Sequence, residues 1–220
     1  MLILLSPIDY FYGQIKITIW IYYIVLMARR IILEEFENRW LPTYIKPNLD
    51  ILFCGINPGR ISAIKGYHFA NPSNLFWKGL YLGGITPYQF KPEETVKLLE
   101  YGYGITDIVG RPTRSSSDLT KDDFIQGAMD LEILIKRYRP KIVCFIGITA
   151  FRYATGRLKG KIQPGLQDGV FYETPTWKGC HIFVVPSTSG ANAHYTREER
   201  VEYFRQLNDW KNKYFSEDHV

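Results

Sequence analysis

Three short, nearly unbroken apolar runs recur along the chain, Asp50–Gly55, Lys141–Gly147 and His181–Val185, together with a second short stretch of strand type, Gly104–Gly110, interrupted by Thr106 and Asp107. Runs of this kind predict strands covered on both faces. Between them the apolar period lengthens. Phe124, Ala128, Leu131, Ile135 and Tyr138 follow at helical spacing from Thr120-Lys-Asp-Asp123, which reads as a capping box, up to Pro140. Thr196, with Glu199 three residues on, opens a last helix reaching about Tyr214. Ser73–Tyr81 reads as a helix carrying large aromatics and stopped by Gly83-Gly84, Pro92-Glu93-Glu94 opens a short helix, and another passes through Phe151. A Gly/Pro-rich excursion then runs from Gly156 to Gly179. Strands alternating with helices predict an α/β domain with a mostly parallel sheet.

The first 26 residues break this pattern. Met1–Leu5 and Ile17–Leu26 are strongly apolar and end at Arg29-Arg30, but Asp9 and Lys16 interrupt them before the roughly 20 apolar residues that a bilayer span needs. Three readings stand: a signal anchor, an apolar element packed on the domain, or sequence upstream of a start at Met27, the last being favoured. The expected organisation is an extension over 1–26, one domain over 27–215 and a tail over 216–220.

Composition adds two constraints. With 46% hydrophobic and 15% aromatic residues, a chain of 220 residues can bury a sizeable core. A net charge of +5 with a pI near 9.0 favours an acidic partner, nucleic acid ahead of membrane, or a plain basic surface. Three cysteines, Cys54, Cys144 and Cys180, show neither zinc-type spacing nor an even count, so no metal, no cofactor and a reducing compartment are expected.

Candidate chemistry gathers where the strands end. In a parallel sheet the cleft lies at the carboxyl ends. The first strand leaves through Gly55-Ile56-Asn57-Pro58-Gly59, a rigid turn presenting a neutral amide; Asn-Pro-Gly is also ordinary turn chemistry. Arg111-Pro-Thr113-Arg-Ser-Ser116-Ser and Ser187-Thr188-Ser189-Gly190 follow two other strands. The chain lacks phosphate-binding and dinucleotide-binding glycine motifs, a nucleophile elbow and carboxylates paired in matching loops. Amides and hydroxyls, rather than acids, occupy the predicted cleft.

Gly55-Ile-Asn-Pro-Gly59, Lys65-Gly-Tyr-His-Phe69, Asn74-Leu-Phe-Trp-Lys78 and Val185-Pro-Ser-Thr-Ser189, in this order, resemble the mismatch-specific uracil/thymine-DNA glycosylase branch of the uracil-DNA glycosylase superfamily, most closely its eukaryotic thymine-DNA glycosylases. The resemblance runs from about Phe36 to Trp210. It implies a three-layer αβα sandwich around a four- to five-stranded sheet, and a monofunctional enzyme hydrolysing the N-glycosidic bond of uracil or thymine opposite guanine in double-stranded DNA. By position, Asn57 and Thr113 would be catalytic, orienting a water. Ile56, Ser62, His68, Phe69, Asn74 and Asp107 would line the base pocket, with Phe69 stacking on the base. Ser116, Ser187, Thr188, Ser189, Gly190 and Ala191 would hold the DNA backbone and extrude the nucleotide. The expected protein is a monomer with no membrane partner, nuclear in a eukaryote and cytoplasmic otherwise.

Two positions depart from that pattern. Asp107 stands where the thymine branch has asparagine, so the base-edge contact becomes acceptor-only and uracil and thymine should be cleaved better than 5-carboxylcytosine. Ala191 replaces a bulky residue, often arginine, that fills the hole left by the flipped base; Asn192, His194 or Arg60 are the available substitutes. Two other readings remain beside the enzyme: a catalytically weakened mismatch-DNA-binding module of the same fold, and a nucleotide-binding enzyme whose Asn57 loop cradles phosphate.

Overall fold

A computed structural model describes residues 40–167 and 177–217. The apolar extension over 1–26, the start at Met27, residues 168–176 of the Gly/Pro-rich excursion and the end of the tail lie outside the described residues. The sheet comprises β1 (Ile51–Gly55), β2 (Tyr103–Asp107), β3 (Ile142–Ile146), β4 (Gly165–Leu166) and β5 (His181–Val185), in the order β2-β1-β3-β5-β4. The first four neighbours run parallel and the two-residue β4 pairs antiparallel with β5. The fold is therefore the expected α/β sandwich around a mostly parallel five-stranded sheet.

Unbroken apolar runs become strands because both faces are covered. Leu52, Cys54, Val143, Phe145, Ile182 and Val184 point to one side, where Phe124, Leu131 and Ile135 of α3 (Lys121–Tyr138) and Phe151 of α4 (Ile148–Thr155) pack on them. Ile51, Phe53, Ile142, Cys144, Phe183 and Val185 point to the other. There they meet Phe76 and Leu80 of α2 (Phe76–Leu82), Leu98 of a 3₁₀ helix (Pro92–Tyr101), and Phe204 and Leu207 of α5 (Arg197–Glu217). Each fully buried side chain of this size contributes about 1.5–3 kcal/mol. The edge of β2 is closed by Tyr44, which exchanges two backbone hydrogen bonds with Ile105 at 3.0 and 2.9 Å.

Local signals set the helix starts. Thr120 caps α3 in a complete capping box with Asp123, and Thr196 and Glu199 exchange the same pair of bonds before α5. Three expected elements shift. The aromatic helix begins at Phe76 rather than Ser73, because the Asn74 side chain accepts the Phe76 N–H at 2.9 Å and holds the preceding residues in a turn. The segment opening at Pro92 is 3₁₀ rather than α. β2 stops at Asp107, where the Ile108 and Val109 N–H groups turn back onto the Gly55 and Ile56 carbonyls.

Candidate active site

β1 lies between β2 and β3, so the chain leaves it toward β2 on one side and later returns to β3 on the other. The carboxyl end of such a strand is a topological switch point, where α/β sheets open a crevice. Asn57 emerges there, half-buried. Its Nδ2 donates to the Arg111 carbonyl at 3.0 Å and to Thr113 Oγ1 at 2.7 Å. A carbonyl can only accept, so the NH₂ end must face inward. The amide oxygen, Oδ1, is left for a ligand. Thr113 is buried and spends its single hydroxyl proton on the Ser115 carbonyl, 2.7 Å away. Having also accepted from Asn57, its oxygen keeps one lone pair. Toward a water, both groups can act only as acceptors.

The loop bearing Thr113 is tied down twice. Thr113 N–H donates to the Pro58 carbonyl at 3.1 Å, and the Arg111 guanidinium grips Asp123 through Nε at 3.1 Å and Nη2 at 2.5 Å. That guanidinium, with the bonds from Thr120, holds the Asp123 carboxyl well below its usual range. The clamp fixes the Arg111 carbonyl, and with it the Asn57 amide. Nothing in residue type or spacing marks Arg111 or Asp123 as part of the site, since the contact joins the loop to the cap of the helix that follows it.

Asp107, at the end of β2, lies beside Gly55 at the end of β1. A Cβ on Gly55 would overlap Asp107 Oδ1 and come within 3.2 Å of the Phe69 ring, so glycine is what lets both approach the backbone. Asp107 Oδ2 is 3.1 Å from His68 Nδ1, and His68 Nε2 is 2.9 Å from the Pro42 carbonyl. Burial disfavours the charged imidazole, but the Asp107 charge, its hydrogen bond and the Pro42 carbonyl outweigh it and raise the His68 pKa. Phe69 sits at φ 51°, a left-handed conformation rare for a bulky residue, and stacks on Phe76 with ring centroids 4.2 Å apart. It is held there by its neighbours, Trp77 Nε1 donating to the His68 carbonyl at 3.1 Å. Strain of this sort, about 1–3 kcal/mol, persists where surrounding structure enforces it.

The remaining predicted residues divide. Ile56 packs against the core and gives its carbonyl to Val109. Ser62 is buried in the short helix α1 (Arg60–Lys65), its Oγ accepting the Ala70 N–H at 3.1 Å. Asn74 uses its oxygen on Phe76, which leaves its NH₂. Ser187, Thr188, Ser189, Gly190 and Ala191 follow β5 and dock on the turn before α2: Leu75 N–H donates to the Thr188 carbonyl at 2.9 Å, and a Cβ on Gly190 would come within 2.6 Å of Ser73 Oγ. Asn192 donates to the Ser187 carbonyl at 2.8 Å and accepts the His194 N–H at 3.1 Å, so it braces this loop and is not available to fill a gap. Ser116 opens an exposed 3₁₀ turn beyond Thr113. Near these loops Arg60, Lys65 and Arg114 are exposed, with no side-chain hydrogen bond or ion pair among the described residues.

Other chemistries find little support here. Burial raises the Cys54 and Cys144 thiols and pushes Cys180 up to about 12, which makes them poor nucleophiles. Among the described residues, His, Cys, Asp and Glu form no group of three suited to a metal, and no helix is long and apolar enough to cross a membrane.

The carboxyl end of β1 thus brings together an amide and a hydroxyl that can accept hydrogen bonds, an aromatic ring and a His–Asp pair. The chain belongs to the uracil DNA glycosylase superfamily, whose model matches residues 42–211. Membership supports DNA glycosylase activity, that of a hydrolase of DNA repair acting on DNA. Among solved structures it is similar to the solution NMR structure of a candidate uracil DNA glycosylase from Methanosarcina acetivorans, at 22% identity over 77% of this chain and 98% of that one, with a TM-score of 0.48.

Proposed function

We propose that the protein is a monofunctional glycosylase that excises uracil or thymine mispaired with guanine from double-stranded DNA, leaving an abasic site for base-excision repair. Breaking the glycosidic bond builds positive charge on the sugar and negative charge on the departing base. Asn57 Oδ1 and the free lone pair of Thr113 would accept the two hydrogens of a water, turning its own lone pair toward the sugar carbon. Neither group takes up a proton near neutral pH, so the rate gain comes from positioning and preorganised dipoles. The observation carrying this reading is the Asn57 amide, locked with its NH₂ end inward and its oxygen outward.

The target base must leave the duplex to reach this depth. It would stack on the Phe69 face opposite Phe76 and meet Asn74 and Asp107 along its edge, while Ser116 and the 187–191 loop hold the backbone. No lysine stands at the Asn57 position, so Schiff-base chemistry is not expected. The protein would act as a monomer, in the nucleus of a eukaryote or otherwise in the cytoplasm.

Incubation with G·U, G·T and A·U duplexes followed by alkali tests the proposal: strand breaks at G·U and G·T support it, and their absence refutes it. A second reading rests on Ala191, which is exposed and too small to occupy a base-sized gap. If the protein bound mismatched duplex without releasing base, it would be a mismatch-recognition module of the same fold.

A further inference from the structure

We propose that His68 is a specificity-determining residue: by sharing one proton with Asp107 it keeps Asp107 Oδ1 an acceptor, so the pocket takes bases with a ring N–H and refuses those with a bare ring nitrogen. This rests on the glycosylase reading and adds a substrate rule to it. Uracil and thymine carry an imide N–H on the edge in question. Cytosine and its 5-carboxyl derivative carry a lone pair there.

The argument is one of counting protons. The Pro42 carbonyl 2.9 Å from His68 Nε2 can only accept, so Nε2 bears hydrogen. A neutral imidazole would then point a lone pair from Nδ1 at Asp107 Oδ2, 3.1 Å away. That contact is repulsive unless a proton lies in it. Whether it sits nearer nitrogen or oxygen, Oδ1, which lies against the Gly55 backbone at the carboxyl end of β1, carries none and stays an acceptor. Around the pair, among the described residues, are Tyr44, its ring centroid 6.3 Å from that of His68, and Cys54, whose thiol the Asp107 charge helps to raise. Asp107 forms no ion pair with lysine or arginine among them. His68 is therefore the ion-pair partner of this carboxylate, 8% exposed, among the described residues.

Removing that partner has a signed consequence. In His68→Gln or His68→Phe the buried carboxylate loses its counter-charge and takes a proton at higher pH. A proton on Oδ1 clashes with an imide N–H and instead donates to a bare ring nitrogen. The acid limb of single-turnover excision from G·U duplexes should move up by about one pH unit or more, and the preference for uracil over 5-carboxylcytosine should fall about tenfold. Asp107→Asn, whose NH₂ would donate to the bare Nδ1 of a neutral His68 and leave its oxygen as the acceptor, should keep the preference for uracil and remove its pH dependence. Duplexes bearing cleavage-resistant 2′-fluoro-deoxyuridine or 2′-fluoro-deoxycytidine opposite guanine give the matching preference for a ring N–H over a bare ring nitrogen as a binding ratio, so a wild-type protein that proved inert would sink the glycosylase proposal while the role of His68 was still decided. Unchanged acid limb, rate ratio and binding ratio in both folded His68 variants would overturn the inference.

Discussion

Asn57 does two jobs with opposite ends of one amide, and substitutions separate them from binding. Asn57→Ala should lower single-turnover cleavage about 10²-fold or more while duplex affinity persists; an alanine variant of full activity would remove the residue from the mechanism. Thr113→Ser keeps the hydroxyl that links Asn57 to the Ser115 carbonyl and should retain most activity, whereas Thr113→Val leaves buried polar groups unpaired at about 1–3 kcal/mol. Phe69→Ala should weaken base engagement by the roughly 1–3 kcal/mol that stacking contributes, measured as a raised half-saturation concentration for G·U duplex. His68 also carries a stability signature. Its folded pKa is raised, so the pair's contribution is fully present below the usual imidazole pKa and is lost as pH rises through the folded value. Melting temperature should fall across that window in the native protein, and Asp107→Asn should abolish the fall.

Elements matter here through what they hold still. The cap of α3 is shared: Asp123 Oδ2 accepts the Thr120 N–H at 2.7 Å and also receives Arg111 Nη2. Asp123→Ala should therefore cost about 1–2 kcal/mol as a lost cap and, beyond that, lower the rate by releasing the Arg111 carbonyl from Asn57. The carboxyl is held low, so this contribution is present above the usual carboxylate pKa and is lost as pH falls through the folded one. Thermal melts and single-turnover rates on the same variant separate the two effects. Of the four parallel strands, β1 and β3 were legible because burial on both faces leaves them apolar throughout and β5 because only His181 at its start is polar, and α3 and α5 because their capping boxes are local. By contrast α1 has no side-chain cap at Gly59, spans six residues and leaves Ile61 and Ile64 exposed, so it has no period to read. β4, two residues long, is made by its partner rather than by its own pattern. Asn57 and Thr113 could be picked out from loops at strand ends; the His68–Asp107 contact could not, because it depends on strand register and on Gly55 clearing the space.

At the scale of the molecule, two cores clamp the sheet and leave its carboxyl end to loops, so the cleft is built from segments far apart in sequence. The net charge of +5 is modest, and what counts is where it lies. Arg60 begins α1 two residues after Pro58, and Arg114 adjoins Thr113, so two guanidinium groups with no ion pair among the described residues adjoin the Asn57 and Thr113 loops. DNA backbone contacts release condensed counterions, and each phosphate neutralised contributes about 0.9 to the slope of log affinity against log salt. If these arginines meet phosphates, Arg60→Ala and Arg114→Ala should each flatten that slope by about 1 and weaken all duplexes alike, matched or mismatched. Asn57→Ala should leave the slope alone, because a water-positioning amide touches no phosphate. Fluorescence anisotropy over a salt series reads both. Should Arg60→Ala leave the slope unchanged but reduce the preference for mismatched over matched duplex, its side chain would instead be entering the stack, in the place that Ala191 is too small to fill.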